Sequence, residues 1–413
     1  MRRSLLLALM LLLISGLGIT WYLLSKETTL PGGVEVVAHN LEVPWSLAFA
    51  PDGRLFFTER VGRVNVLARG EVRTLLRLEV EAAPGEEGGL LGLTLDPGFD
   101  QNRFLYVYYT YRDERGQRWN RVSRFTESSN SLLDESVVID QIPGHGFHDG
   151  GRIKFGPDGK LYVTTGDAGR GELAQNLGSL AGKILRIDPD GTIPGDNPFP
   201  NSPVFSLGHR NPQGLAWHPV TGALYSTEHG PSGESGYVAH DEVNLIEAGG
   251  NYGWPHIIGR GNDSRFVDSV YETGQTTWAP SGATFYNGTR YPQWSLRLFI
   301  ATLRGQHLRM VTLSPPTYTR VESTTALYQG TFGRLRDVAQ GPDGYLYLAT
   351  SNRDGRGSPE ATDDRILRIA TVPALPVGSI LPWAPTVGVA YGADAEQRTW
   401  LRDLNGISRG GRP

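Results

Sequence analysis

The residues best suited to chemistry sit in short glycine-rich stretches. His148 lies in Gly144-His145-Gly146-Phe147-His148-Asp149-Gly150-Gly151-Arg152, just before a strand pattern. Imidazole is the side chain best matched to take a proton near neutral pH, and glycine neighbours let the backbone crowd against a ligand. His145 competes for that role on local sequence, and a loop histidine can equally do no more than bond a carbonyl. In Gly166-Asp167-Ala168-Gly169 a carboxylate follows a strand, where it could orient a base, bind ligand hydroxyls or simply close a turn. Leu207-Gly208-His209-Arg210-Asn211-Pro212-Gln213-Gly214 concentrates a guanidinium and two amides between glycines. A structural turn needs no such concentration, and the fixed donor fork of arginine suits a carboxylate or a developing oxyanion, so Arg210 and Asn211 read as ligand contacts. Arg334-Leu335-Arg336 alternates, which on a strand puts two cations on one face and asks for an anion between them, unless the face is simply solvated.

A second vocabulary is that of a hard cation. Thr227-Glu228-His229-Gly230-Pro231, Asp241-Glu242 and Gly249-Gly250-Asn251-Tyr252-Gly253-Trp254-Pro255 offer carboxylates and loop carbonyls. Oxygen-rich loops of this kind serve calcium, whereas zinc wants His or Cys at fixed spacing. Asp188-Pro189-Asp190-Gly191 lacks the later ligands of a calcium loop and is read as a turn.

These stretches must be held by something, and the sequence repeats the element that does it. Pro51-Asp52-Gly53-Arg54-Leu55-Phe56-Phe57, Pro157-Asp158-Gly159-Lys160-Leu161-Tyr162-Val163 and Pro342-Asp343-Gly344-Tyr345-Leu346-Tyr347-Leu348 are one phrase, with looser versions around Pro219 and Pro97. Proline sets φ for the turn, aspartate bonds back to the backbone, glycine takes the positive φ, and an aromatic or β-branched run follows as a strand. A hairpin cannot bury both faces alone. Repeated sheet units without amphipathic helices between them close radially, which predicts an all-β fold, a β-propeller. Blades of roughly 40 to 65 residues allow six to eight, and six is the expected number. The glycine-rich stretches then become loops gathered on one face of the disc.

Composition agrees: 53 Gly, 27 Pro, 17 Tyr, 14 Phe and 9 Trp suit short strands and tight turns. With 39 Lys+Arg against 43 Asp+Glu, a formal charge of -4 gives no electrostatic reason to expect nucleic acid. The absence of cysteine excludes a disulfide scaffold, a thiolate metal site and a cysteine nucleophile. Met1-Arg2-Arg3 before the apolar run at 5–24 reads as an export signal or an uncleaved membrane anchor. The expected division is therefore 1–30 export segment or anchor, 31–375 propeller and 376–413 C-terminal extension, with the propeller outside the cytoplasm. Monomer and homodimer both remain open.

Taken together, residues 87–92 (Glu-Gly-Gly-Leu-Leu-Gly), His148 to Arg152 (His-x-x-Gly-Arg), Gly166-Asp167, residues 209–214 (His-Arg-Asn-Pro-Gln-Gly), Glu228-His229-Gly230-Pro231, residues 251–255 (Asn-Tyr-Gly-Trp-Pro) and Arg334 to Asp337 (Arg-x-Arg-Asp) occur in an order that resembles the soluble quinoprotein glucose dehydrogenases. The likeness is strongest to their aldose sugar dehydrogenase branch, which uses pyrroloquinoline quinone (PQQ), and it runs from about Trp45 to Ile369. The resemblance implies that His148 is the general base on the anomeric hydroxyl of an aldose, that Asp167 orients it, and that a lactone is the product. It implies that Arg210 and Asn211 contact the cofactor, Arg210 stabilising negative charge on it, and that Arg334 and Arg336 pair with its carboxylates. It implies a calcium on the Gly230 and Pro231 carbonyls, a second calcium on Glu242 and the Tyr252 carbonyl, and an external electron acceptor such as a quinone, cytochrome or dye. Trp278 is expected to stack on cofactor or sugar. Two positions depart from the family pattern: Glu87 stands where glutamine is common and Arg304 where lysine is usual, and the expectation is that Glu87 is protonated or paired with Arg304.

Two other readings fit a propeller. A calcium-dependent lactonase would use a carboxylate-rich central metal site and no quinone, and the arginine pair argues against it. A non-catalytic extracellular binding propeller would have no need of a base, its orienting acid and an oxyanion donor, and fold alone never settles the choice.

Overall fold

The structure is a computed structural model that describes residues 29–233 and 236–373. The expected export segment, apart from residues 29 and 30, and the C-terminal extension lie outside the described residues. Among those described, the strands form six antiparallel sheets, five of four strands and one of five. The protein is a six-bladed β-propeller. Its inner strands, Pro44–Phe49, Leu90–Leu95, Ile153–Phe155, Pro212–Trp217, Pro280–Phe285 and Leu335–Gln340, open blades 1 to 6 in chain order. The ring closes by sequence exchange: Val34–Ala38 pairs antiparallel with Ile366–Ile369, so blade 6 is completed by the strand that precedes blade 1.

Alternation builds the packing between blades. In Leu55–Glu59, the second strand of blade 1, Phe56 packs toward blade 2 with Leu93, Leu105 and Val107, while Leu55 and Phe57 pack toward blade 6 with Tyr347 and Ala349. In Phe104–Arg112, Tyr106 and Tyr108 face blade 3 whereas Leu105 and Val107 face blade 1. Successive side chains point to opposite faces of a strand, and both faces of a blade are covered by its neighbours. The second strands of blades 1, 3, 4, 5 and 6 are therefore buried along their whole length, despite their period of two.

The repeated phrase folds the same way three times. The glycine N–H closes each turn at 3.0, 3.0 and 2.9 Å, with φ of +87°, +73° and +78° at Gly53, Gly159 and Gly344. Asp52, Asp158 and Asp343 each accept the N–H two residues on at 3.1 Å. Each turn joins an inner strand to the second strand of its blade. The second strands thus return to the face from which the inner strands set out, and that face carries the loops of interest.

Candidate functional site

His148 precedes the inner strand of blade 3, and Asp167 follows that blade's second strand, Leu161–Thr165. A hairpin brings both to one face, where His148 Nδ1 lies 2.8 Å from Asp167 Oδ1. The fit needs glycine: a Cβ at Gly166 would lie 1.9 Å from the His148 carbonyl oxygen, and His148 itself has φ +61°. Asp167 is buried and accepts two further donors, the Gly169 N–H on Oδ1 and the Trp254 indole N–H on Oδ2, each at 2.8 Å. A carboxylate can only accept, so it takes the proton-bearing Nδ1 of the imidazole and leaves the lone pair on Nε2. His145, the competing histidine, packs edge-on against Phe147 and is absent from the walls of both cavities described below.

Arg210 and Asn211 lie just ahead of the inner strand of blade 4. The Arg210 carbonyl accepts the Asp167 N–H at 2.8 Å, its guanidinium donates to the His229 carbonyl at 3.2 Å, and it lies 5.6 Å over the Trp254 ring. Asn211 Oδ1 accepts the Gly150 N–H at 3.1 Å, tying the His148 loop to blade 4. Glu87, Phe147, His148, Asp167, Glu172, Arg210, Trp254 and Arg356 line a cleft of about 650 Å³.

A second, smaller cavity adjoins it, and Glu87 and Arg356 line both. Its walls carry Arg60, Arg334, Arg336 and Arg356, with Trp45, His229 and Asp354 among the rest. Burial drives the Arg336 guanidinium down to about 9. It also drives the His229 imidazole down to about 3, so that this ring is neutral near pH 7. Burial alone would raise the Glu87 carboxyl, but His148, Arg356 and His229 outweigh it and hold it near 2. With His229 neutral, the groups that keep Glu87 ionised at pH 7 are Arg356, at 2.8 Å, and the His148 N–H, at 2.9 Å. The expectation that Glu87 is protonated or paired with Arg304 is thereby corrected. Arg304 stands exposed after the second strand of blade 5, and the blade 6 loop supplies the partner instead.

Trp278 is also placed differently from expectation. Tyr271 stacks on its ring at 5.3 Å, the Arg309 guanidinium lies over it at 4.1 Å, and neither cavity is lined by it. The tryptophan on the cleft wall is Trp254. Gly230 and Pro231 fall between His229, on the second cavity, and Ser232, on the first. Glycine is required at 230 because a Cβ would lie 1.8 Å from the Ala239 carbonyl oxygen. Glu242 is in blade 4 directly between Glu228 and Glu272 on adjacent strands. Burial first, then Glu228, Glu272 and Asp241, push its carboxyl well above the usual range. Tyr252 is buried beside this sheet, stacked on His209 at 4.7 Å.

Arg60, Asp354 and Arg356 escaped the motif reading. A signal was present: Arg60 and Asp354 follow the second strands of blades 1 and 6, the same place in the repeat as Asp167 in blade 3.

Fold and site define a propeller with a hydrogen-bonded His–Asp pair beside an arginine-lined cavity. Residues 41–367 match the family model described as glucose/sorbosone dehydrogenase, and the chain belongs to that family of oxidoreductases. It is 33% identical to the aldose sugar dehydrogenase YliI of Escherichia coli over 78% of this chain and 91% of that protein. Among solved structures it resembles the PQQ-bound aldose sugar dehydrogenase of Streptomyces coelicolor, with 38% identity, a TM-score of 0.71, and coverage of 81% of this chain and 97% of that one. It also resembles the soluble aldose sugar dehydrogenase of E. coli, with 31% identity, a TM-score of 0.72, and coverage of 81% and 98%.

Proposed function

We propose that the protein oxidises aldose sugars at C1 to lactones, with PQQ as cofactor, calcium as its metal and an external electron acceptor. The observation that carries this reading is the His148–Asp167 pair opening onto a cleft that adjoins an arginine-lined cavity. The guanidiniums of that cavity suit carboxylates, and the body of a planar tricarboxylate would lie in the adjoining cleft of about 650 Å³. Arg60 Nε, Arg336 Nε and His229 Nε2 are buried donors or acceptors without a hydrogen-bond partner among the described residues, and such groups are costly to leave unmatched. Arg334 and Arg336 would hold carboxylates, while Arg210 and Asn211 would sit at the boundary with the sugar cleft. Among the described residues no three acidic or histidine side chains cluster as a metal site, so a cation here would rest on the half-buried Glu242, between Glu228 and Glu272 on adjacent strands, and on backbone carbonyls. Calcium would be held there by Glu242 and the Tyr252 carbonyl, and beside the cofactor by the Gly230 and Pro231 carbonyls.

When bound, the quinone supplies the acceptor for the hydride leaving sugar C1 and calcium supplies a Lewis acid for it, so that the sugar ends as its lactone. His148 Nε2 takes the proton of the anomeric hydroxyl. Asp167 fixes the tautomer that makes this possible and stabilises the imidazolium that results. Trp254, held by its N–H bond to Asp167, forms an aromatic wall against which a sugar face can lie. The chain works outside the cytoplasm, behind its N-terminal export segment or anchor.

The test is reduction of a redox dye by the full-length protein with aldoses, with and without PQQ and calcium. Cofactor-dependent reduction is expected. A folded protein that neither binds PQQ nor oxidises any aldose would overturn the reading.

A further inference from the structure

Glu87 and Arg356 come from loops 269 positions apart in sequence and meet on the wall shared by the two cavities. Glu87 Oε1 accepts from Arg356 at 2.8 Å. Its Oε2 accepts the His148 N–H at 2.9 Å and the Asn211 amide at 3.4 Å. The Arg356 loop is built for this reach. Its N–H is anchored on Asp354 Oδ1 at 2.9 Å, and Gly355, with φ +89°, lies so close to the other loop that a Cβ would be 3.0 Å from Gly85 N.

Two of the other charges lining the sugar cleft are already bonded within the protein. Asp167 is bonded to His148, the 3%-exposed Arg210 is bonded to the His229 carbonyl, and Glu172 stands exposed at the rim. Arg356, with half its side chain exposed, is the cation that an incoming ligand would meet first, and Glu87 cancels it.

We propose that Glu87 sets substrate specificity by neutralising Arg356, keeping the cleft selective for uncharged aldoses over sugars that bear a carboxylate. The inference rests on the sugar-oxidising reading above. A guanidinium released from Glu87 would present its donor fork to a uronate, a charge-assisted pairing of the kind that anchors carboxylates.

Glu87→Gln tests this, because the amide keeps an oxygen for the His148 N–H while losing the charge. The ratio of kcat/KM for glucuronate to that for glucose is expected to rise about tenfold in this variant and to return to the wild-type value in Glu87→Gln/Arg356→Gln. Calorimetric titration of the cofactor-free protein with glucuronate should show tighter binding to Glu87→Gln than to wild type. That arm needs no turnover, so if wild type oxidises no aldose the sugar-oxidising reading falls while the titration still decides the role of Glu87. An unchanged ratio and unchanged binding in Glu87→Gln, or a gain that survives in the double variant, overturns the proposal. Should Glu87→Gln fail to fold, Arg356→Gln alters only a half-exposed side chain. It leaves Glu87 uncompensated, so preference for protonated glucosamine over glucose should rise about tenfold, and an unchanged preference would sink the idea.

Discussion

Arg334 Nε donates to Asp354 Oδ2 at 2.8 Å, its Nη2 is ion-paired with the same oxygen at 2.8 Å, and that oxygen is 3.9 Å from Arg336. The anion that two neighbouring arginines require is thus supplied in part by the protein. Burial would raise the Asp354 carboxyl, but Arg334 and Arg336 outweigh it and hold it low, so it competes with any anion entering the cavity.

Asp354→Asn should therefore separate stability from affinity. The variant without cofactor should lose about 3 kcal/mol, because two buried guanidiniums lose their counter-charge. Its melting temperature should rise more on adding PQQ than that of wild type. Thermal melts with and without PQQ check both, and an equal rise in the two proteins would refute competition.

Asp167→Asn should lower kcat/KM for glucose by about 100-fold or more. Three N–H donors converge on the two oxygens of Asp167, and an amide has only one oxygen. Either Trp254 or His148 must then face an NH₂ group. His148→Gln should abolish turnover while PQQ binding, followed by equilibrium dialysis, stays within about threefold of wild type. Near-normal rates in either variant would remove the pair from catalysis.

Arg152 and Asp337 should behave as one unit of the central channel. Asp337 Oδ2 accepts from Arg152 at 3.1 Å and from the Leu47 N–H at 2.8 Å, which joins blades 6, 3 and 1. The Arg152 guanidinium also lies 4.2 Å over the Trp45 ring. Asp337→Ala and Arg152→Met should each cost about 3 to 5 kcal/mol in urea denaturation, and the double variant clearly less than their sum. Additive losses would show that the pair is not coupled.

Asp149 gives a pH dependence of known sign. Burial above all, with Glu87 adding, raises its carboxyl to about 7, although the Asn120 amide and the His145 N–H oppose this. The folded protein then holds a proton that the unfolded chain has lost between about pH 4 and 7, so this group's contribution to stability falls as pH rises through that window and is level above it. Asp149→Asn should match wild type near pH 4 and exceed it at pH 8 by up to about 4 kcal/mol. Equal pH profiles in denaturation would show that Asp149 ionises normally.

Much of this protein was legible in its sequence because the deciding forces are local. The Pro-Asp-Gly phrase specifies a turn by φ preference and an aspartate bond within a few residues, and its repetition dictates blades and their closure. The motifs around His148, Asp167, Arg210 and Arg334 converge on the candidate site for a related reason. Each lies at the end of an inner or second strand, and every blade delivers those ends to the same face.

Only the tertiary structure decided which charge neutralises which. Nothing near Glu87 in sequence points to Arg356, since the pair forms where a loop between blades 1 and 2 meets one from blade 6, brought together by closure of the ring. The exchange of Trp278 for Trp254 has the same cause. Both are tryptophans one or two residues ahead of a proline, and strand ends placed one against Tyr271 and Arg309 and the other against Asp167. Local preference fixes elements over a few residues, but electrostatic partners are chosen by distance in space, which a linear pattern does not encode.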